Sequence, residues 1–143
     1  MKKRHATKEK AGVVVYRSND GGEPLVLVVS ARKFKDQWVF PVGTVEKGES
    51  LETAARRECE EESGYRVDLE LKLPPVLASK SGKIKRFTFF LATLIGEAPQ
   101  WETDRQRHWL PADQVVDAMP DVFQGVARQA VARISKTLLV RHA

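Results

Sequence analysis

Short runs of apolar and β-branched residues recur through the first half of the chain. Gly12–Tyr16 and Leu25–Ser30 are two such runs, separated by Asn19-Asp20-Gly21-Gly22. That pattern predicts two strands joined by a hairpin turn. Trp38–Phe40 is a shorter run, stopped by Pro41, and residues 42–49, with Gly43 and Gly48, read as a loop. Ser50 suits the N-cap of a helix from Leu51 to Ser63, and Gly64 suits the left-handed residue that ends it.

The pattern then returns to strands. Tyr65–Leu73 and Val76–Ser79 read as extended, interrupted by Pro74-Pro75, with a turn at Ser81-Gly82. Ile84–Ile95 is apolar on both strand faces, with Phe87, Phe89 and Leu91 on one and Thr88, Phe90 and Leu94 on the other. Such a run suits a central strand covered on both sides. Arg107–Leu110 reads as a short strand, and Pro111 as the first turn of a helix reaching Ala118. Asp121 caps a last helix whose Val122, Val126, Ala130, Ile134 and Leu138 fall near one face. Residues 1–10 are polar and are expected to form a frayed, basic, disordered tail, leaving 11–143 as one domain. Strands first, a helix in the middle and helices at the end predict a single α/β sandwich.

Composition narrows the chemistry. With 143 residues and a net charge of +5, the chain is long enough to bury a core and is basic on balance. The single cysteine, Cys59, excludes an internal disulfide, and no cysteine–histidine cluster has zinc spacing. Only Val13–Val15 follow the basic start as an apolar run, too short for a signal peptide or a spanning helix, so a cytoplasmic location and no membrane partner are expected. The positive charge suits either a solvated surface or a polyanionic partner.

The acidic residues are not spread evenly. Five of the 19 fall between Glu52 and Glu62. On a helical wheel Leu51, Ala54 and Ala55 form the inward stripe, and Glu58, Glu61 and Glu62 continue that sector, whereas Glu52 and Glu60 lie off it. Like charges three and four apart repel, and Arg57, four before Glu61, offsets only part of this. Two readings stay open on the residues alone. One is a solvated acidic face. The other is a site for a hard divalent cation, to which carboxylate oxygens are suited.

Gly43-Thr44-Val45-Glu46-Lys47-Gly48-Glu49, seven further residues, and Arg57-Glu58-Cys59-Glu60-Glu61-Glu62-Ser63-Gly64-Tyr65 together resemble the signature box of the Nudix, or MutT-like, hydrolases. Every fixed glycine, glutamate and arginine is present, while Cys59 and Tyr65 replace the usual aliphatic residues. Trp38-Val39-Phe40-Pro41 extends the likeness upstream. The resemblance implies an α/β/α sandwich with a mixed central sheet and magnesium-dependent hydrolysis of a phosphoanhydride, with manganese as a substitute. It implies Glu58, Glu61 and Glu62 as metal ligands, joined by a backbone carbonyl at Val42 or Gly43. Glu58 or a downstream glutamate would be the general base, with Glu49 and Arg57 orienting the carboxylates. Gly43 would permit a loop conformation closed to other residues. A later acidic residue could add a ligand, with Glu102 first and Glu97 and Asp104 behind it.

For the substrate, Trp101-Glu102, Arg105, Arg107 and Trp109 resemble the corresponding part of diphosphoinositol polyphosphate and diadenosine polyphosphate hydrolases. Lys80, Lys83, Lys85 and Arg86, with Arg32, Lys33 and Lys35, suit a highly anionic small molecule. Phe34 or Trp38 could stack on a base, although such aromatics are more often core. Hydrolysis of a 5′ cap or 5′ pyrophosphate on RNA is the alternative, and a catalytically silent Nudix-fold binding module is the alternative from another class. The intact acids and arginine argue against the latter. No stable nucleic-acid partner is expected, because Phe87, Phe89 and Phe90 read as buried. A homodimer is left open.

Overall fold

A computed structural model describes residues 7–32, 36–101 and 104–141. The strands are β1 (Lys8–Ser18), β2 (Pro24–Ser30), β3 (Trp38–Val39), β4 (Val42–Thr44), β5 (Tyr65–Lys72), β6 (Val76–Lys80), β7 (Lys83–Glu97) and β8 (Arg107–Pro111). The helices are α1 (Leu51–Ser63), α2 (Ala112–Ala118) and α3 (Asp121–Arg141). Among the described residues the strands form one mixed sheet in the order β3-β2-β1-β7-β5, with β4 on β1, β6 on β7 and β8 on β2. All of these pairings are antiparallel except that of β1 with β7.

Strand alternation builds the two cores. On β1, Ala11, Val13 and Val15 face one side, where they meet Ala54, Ala55 and Cys59 of α1 together with Phe90 and Ala92. Val14 and Tyr16 face the other, packed with Phe89, Leu91, and Val115, Phe123, Val126 and Ile134 of α2 and α3. The expected division of β7 into two buried faces therefore holds, and so does the α/β/α sandwich.

Several boundaries differ from expectation. β1 begins at Lys8, so Lys8–Lys10 are strand rather than tail, held by β7 on one side and by β4 on the other. Residues 1–6 of the expected tail lie outside the described residues. The stretch read as a loop after Pro41 opens with β4, where Gly43 pairs with Ala11. The last helix keeps Val126, Ala130, Ile134 and Leu138 buried, but Val122 is 37% exposed. No helix among the described residues is long and apolar enough to cross a membrane.

Candidate active site

The loop from β4 into α1 folds around one arginine. Ser50 caps α1 by accepting the Thr53 N–H at 3.1 Å. This starts the helix so that Arg57 returns over the loop. Arg57 donates to both oxygens of Glu49, at 2.7 and 2.9 Å, and to the Thr44 carbonyl at 3.0 Å. It also reaches Glu58 at 2.9 Å and Glu61 at 3.3 Å. Hydrogen bonds from Arg57, followed by the Glu46 N–H, hold the Glu49 carboxyl down at about 2. Glu49 in turn raises Arg57 further above its ordinary value, so the pair stays charged over the whole working range. Arg57 thus links Glu49 to the helix carboxylates Glu58 and Glu61.

The three glutamates of α1 are placed differently from one another. The Glu62 side chain is 4% exposed, accepting the Val42 N–H at 2.8 Å and pairing with Arg105 at 3.1 Å. Glu58 is mostly buried and lies against Gly43. The Glu61 side chain is 48% exposed, which corrects its assignment to the inward sector. Cys59 is fully buried and belongs to the inward stripe. Including it turns the centre of that stripe toward Glu62 and away from Glu61, since successive residues step by roughly 100°. Burial pushes the Cys59 thiol up to about 12, so it acts as a small core residue. Glu60, off the inward sector, pairs with Arg66 at 3.1 Å in an exposed contact.

Gly43 also has a different reason for being glycine. Its φ is not positive. A Cβ there would lie 2.1 Å from the Glu58 carboxyl carbon, so the position must be bare for Glu58 to occupy it.

The fit to a divalent cation rests on donor chemistry. Glu58 and Glu62 bring carboxylate oxygens to β4, Glu58 against Gly43 and Glu62 onto the Val42 N–H, while Glu61 lies more exposed on the same helix. Among the described residues no three acidic, histidine or cysteine side chains converge into a ready cage. The guanidinium groups of Arg57 and Arg105 satisfy the carboxylates instead. Buried carboxylates require a positive partner, and here arginine supplies it. The residues therefore fit a hard cation, provided it displaces part of this arginine pairing.

A cleft of about 1120 Å³ opens beside Glu62, Val42 and Gly43. Lys80, Lys83, Lys85 and Arg32 line it, and so do Lys8, Lys10 and Arg105. Arg86 does not, because strand alternation turns it to the other face, where Glu9 takes it at 3.6 Å. Arg32 also pairs with Asp104, at 3.3 Å and largely in solvent. Glu97 is exposed at the end of β7, opposite Tyr65 in the sheet register. Trp38 stacks on His108 with 5.8 Å between ring centroids and packs against the core. Glu102, Lys33, Phe34 and Lys35 lie outside the described residues. Lys8 and Lys10 escape a reading of the sequence, because three consecutive charged residues carry no strand signal and only pairing with β4 and β7 places them. In that reading Arg105, whose partner Glu62 is remote in sequence, has no site role.

Comparison with known proteins agrees with this architecture. The NUDIX domain profile matches residues 8–133, and the chain belongs to the Nudix hydrolase family. It is 29% identical over 120 residues to diphosphoinositol polyphosphate phosphohydrolase 2 of Rattus norvegicus, covering 81% of this chain and 65% of that protein. This chain thus spans slightly less than two thirds of the rat relative. It is 34% identical over 150 residues to an 8-oxo-(d)GTP phosphatase of Mycolicibacterium smegmatis, covering 95% of this chain and 46% of that one. The fold is shared with a C. elegans Ap4A hydrolase binary complex, with a TM-score of 0.73 and 22% identity over 91% of this chain and 99% of that one.

Proposed function

We propose that this chain hydrolyses a phosphoanhydride bond in a small, highly anionic polyphosphate, using magnesium or manganese, in the cytoplasm. One observation carries the reading. A single cleft joins the α1 carboxylate Glu62 and the bare Gly43 to a rim of lysines that includes Lys10, Lys83 and Lys85. The named activities of the similar proteins, on diphosphoinositol polyphosphates, Ap4A and 8-oxo-(d)GTP, all concern phosphate chains.

In this mechanism Glu58, Glu61 and Glu62 would hold the cation, with a backbone carbonyl at Gly43 as a further candidate. When bound, the cation supplies charge neutralisation at the phosphoryl oxygens. Glu58 is the candidate base that takes the proton of the attacking water, while the phosphate beyond the cleaved bond departs with the bridging oxygen. Glu49 and Arg57 keep the helix carboxylates in place. The rim lysines bind the remaining phosphates and act on ground and transition states alike.

A substrate panel with magnesium tests this. Diadenosine hexaphosphate, a diphosphoinositol polyphosphate, 8-oxo-dGTP, ADP-ribose and 5′-pyrophosphorylated RNA would be compared by their products. We expect the longer phosphate chains to lead. A Lys83→Ala, Lys85→Ala double variant should raise KM more than it lowers kcat, with the effect fading as salt rises. An unchanged efficiency ratio between diadenosine hexaphosphate and ADP-ribose in that variant would make the lysine rim an ordinary surface.

A further inference from the structure

α1 carries no basic residue in its own last turn, although the free carbonyls of a helix C-terminus favour a cation. That cation arrives from β8. Arg107 donates to the Ser63 carbonyl at 2.6 Å. Its guanidinium lies between two rings, 4.4 Å from the centroid of Tyr65 and 4.7 Å from that of Trp101. The Trp101 indole also seals the helix terminator. Gly64 has φ 77°, and a Cβ there would lie 2.7 Å from Trp101 Cδ1. The Ala98 N–H fixes the Gly64 carbonyl at 2.7 Å.

We propose that Arg107 is a positioning residue that sets the last turn of α1, and with it the Glu62 carboxylate, for cation binding; this rests on the metal-dependent reading above. The link is one residue long. Ser63 follows Glu62 directly, and the Glu62 carboxylate is already fixed by Val42 and Arg105. Holding the next carbonyl leaves the turn little freedom to slip without breaking both of those bonds. Arg105 and Arg107 come from the same stretch, so β8 and the residues just before it grip α1 at two successive positions, one by side chain and one by backbone. A lysine could supply the charge but not the flat, two-faced stack that locks the donor's direction.

The same aromatic ladder provides a control. Trp109 donates to the Tyr65 hydroxyl at 3.2 Å, and the exposed Arg17 covers Trp109 at 4.1 Å. Arg17→Ala would loosen the ladder while leaving the hold on Ser63 in place. The experiment measures Mn2+ binding by electron paramagnetic resonance, steady-state kinetics on the best panel substrate, and thermal melting. For Arg107→Lys we expect Mn2+ affinity and kcat each to fall about tenfold, the size usual for groups that orient metal ligands. KM should stay within about twofold. Arg17→Ala should leave affinity and kcat as in the parent. If Arg107→Lys does not fold, Trp101→Leu removes one face of the stack and should give a smaller loss of the same kind. Parent-like Mn2+ affinity in a folded Arg107→Lys, or an equal loss in Arg17→Ala, would overturn the proposal. A parent that binds Mn2+ yet cleaves no polyphosphate would sink the hydrolase reading alone, and the affinity comparison would still decide Arg107. A parent that binds no Mn2+ would sink both.

Discussion

Gly43 shows how much one residue can carry for a reason its own sequence neighbourhood does not reveal. The box pattern marks the position as glycine, and a special loop conformation is the natural guess. The structure gives an ordinary strand and a carboxylate pressed against it. Gly43→Ala should therefore keep the fold, since the backbone tolerates alanine, while pushing Glu58 aside. We expect a melting temperature near the parent's and turnover lower by at least about tenfold, the scale of a misplaced catalytic group. Unchanged turnover would show that Glu58 is not needed where it lies. Glu49 makes a second residue-scale prediction. Its carboxyl is lowered from 4.5 to about 2 by Arg57 and the Glu46 N–H. Its contribution to stability is thus full above pH 4.5 and lost as pH falls toward 2. The parent should lose stability more steeply over that window than Glu49→Gln, and parallel acid-unfolding curves would contradict the pairing.

At the scale of elements, α1 was the most legible part of the chain. Its cap, its terminator and its apolar start are local signals, and they gave the observed bounds. Ser50→Ala should cost about 1 kcal/mol in urea melts with an unchanged slope, because it deletes one capping bond. An undiminished midpoint would mean that the cap is supplied elsewhere. The two faces of β7 were legible for the same reason, as alternation along a single strand. What stayed hidden depends on remote partners. β4 is too short to show a period, and it is a strand because β1 pairs with it. Glu61 was misplaced because the wheel was phased on Leu51, Ala54 and Ala55 without Cys59. The arginine that meets Glu62 comes from position 105, brought near by sheet order.

For the whole molecule, sheet order makes the site. The parallel pairing of β1 with β7 joins segments far apart in sequence and sets Lys8 and Lys10 beside Lys85 and Phe87 at one end of the sheet. β4 pairs with β1 at that end and carries Gly43, and α1 crosses it with Glu58 and Glu62. A cationic cleft and an acidic helix face thereby become neighbours in a chain whose net charge of +5 says nothing about either. On the proposed function, these α1 carboxylates run metal-dependent phosphoanhydride hydrolysis. Turnover of diadenosine hexaphosphate by the parent, Glu62→Gln and Glu60→Gln, each with magnesium and with excess EDTA, tests it most directly. We expect activity in the parent only with magnesium, a loss of at least about a hundredfold in a folded Glu62→Gln, and little change in Glu60→Gln. Full turnover in EDTA, or a Glu62→Gln variant as active as the parent, would contradict it.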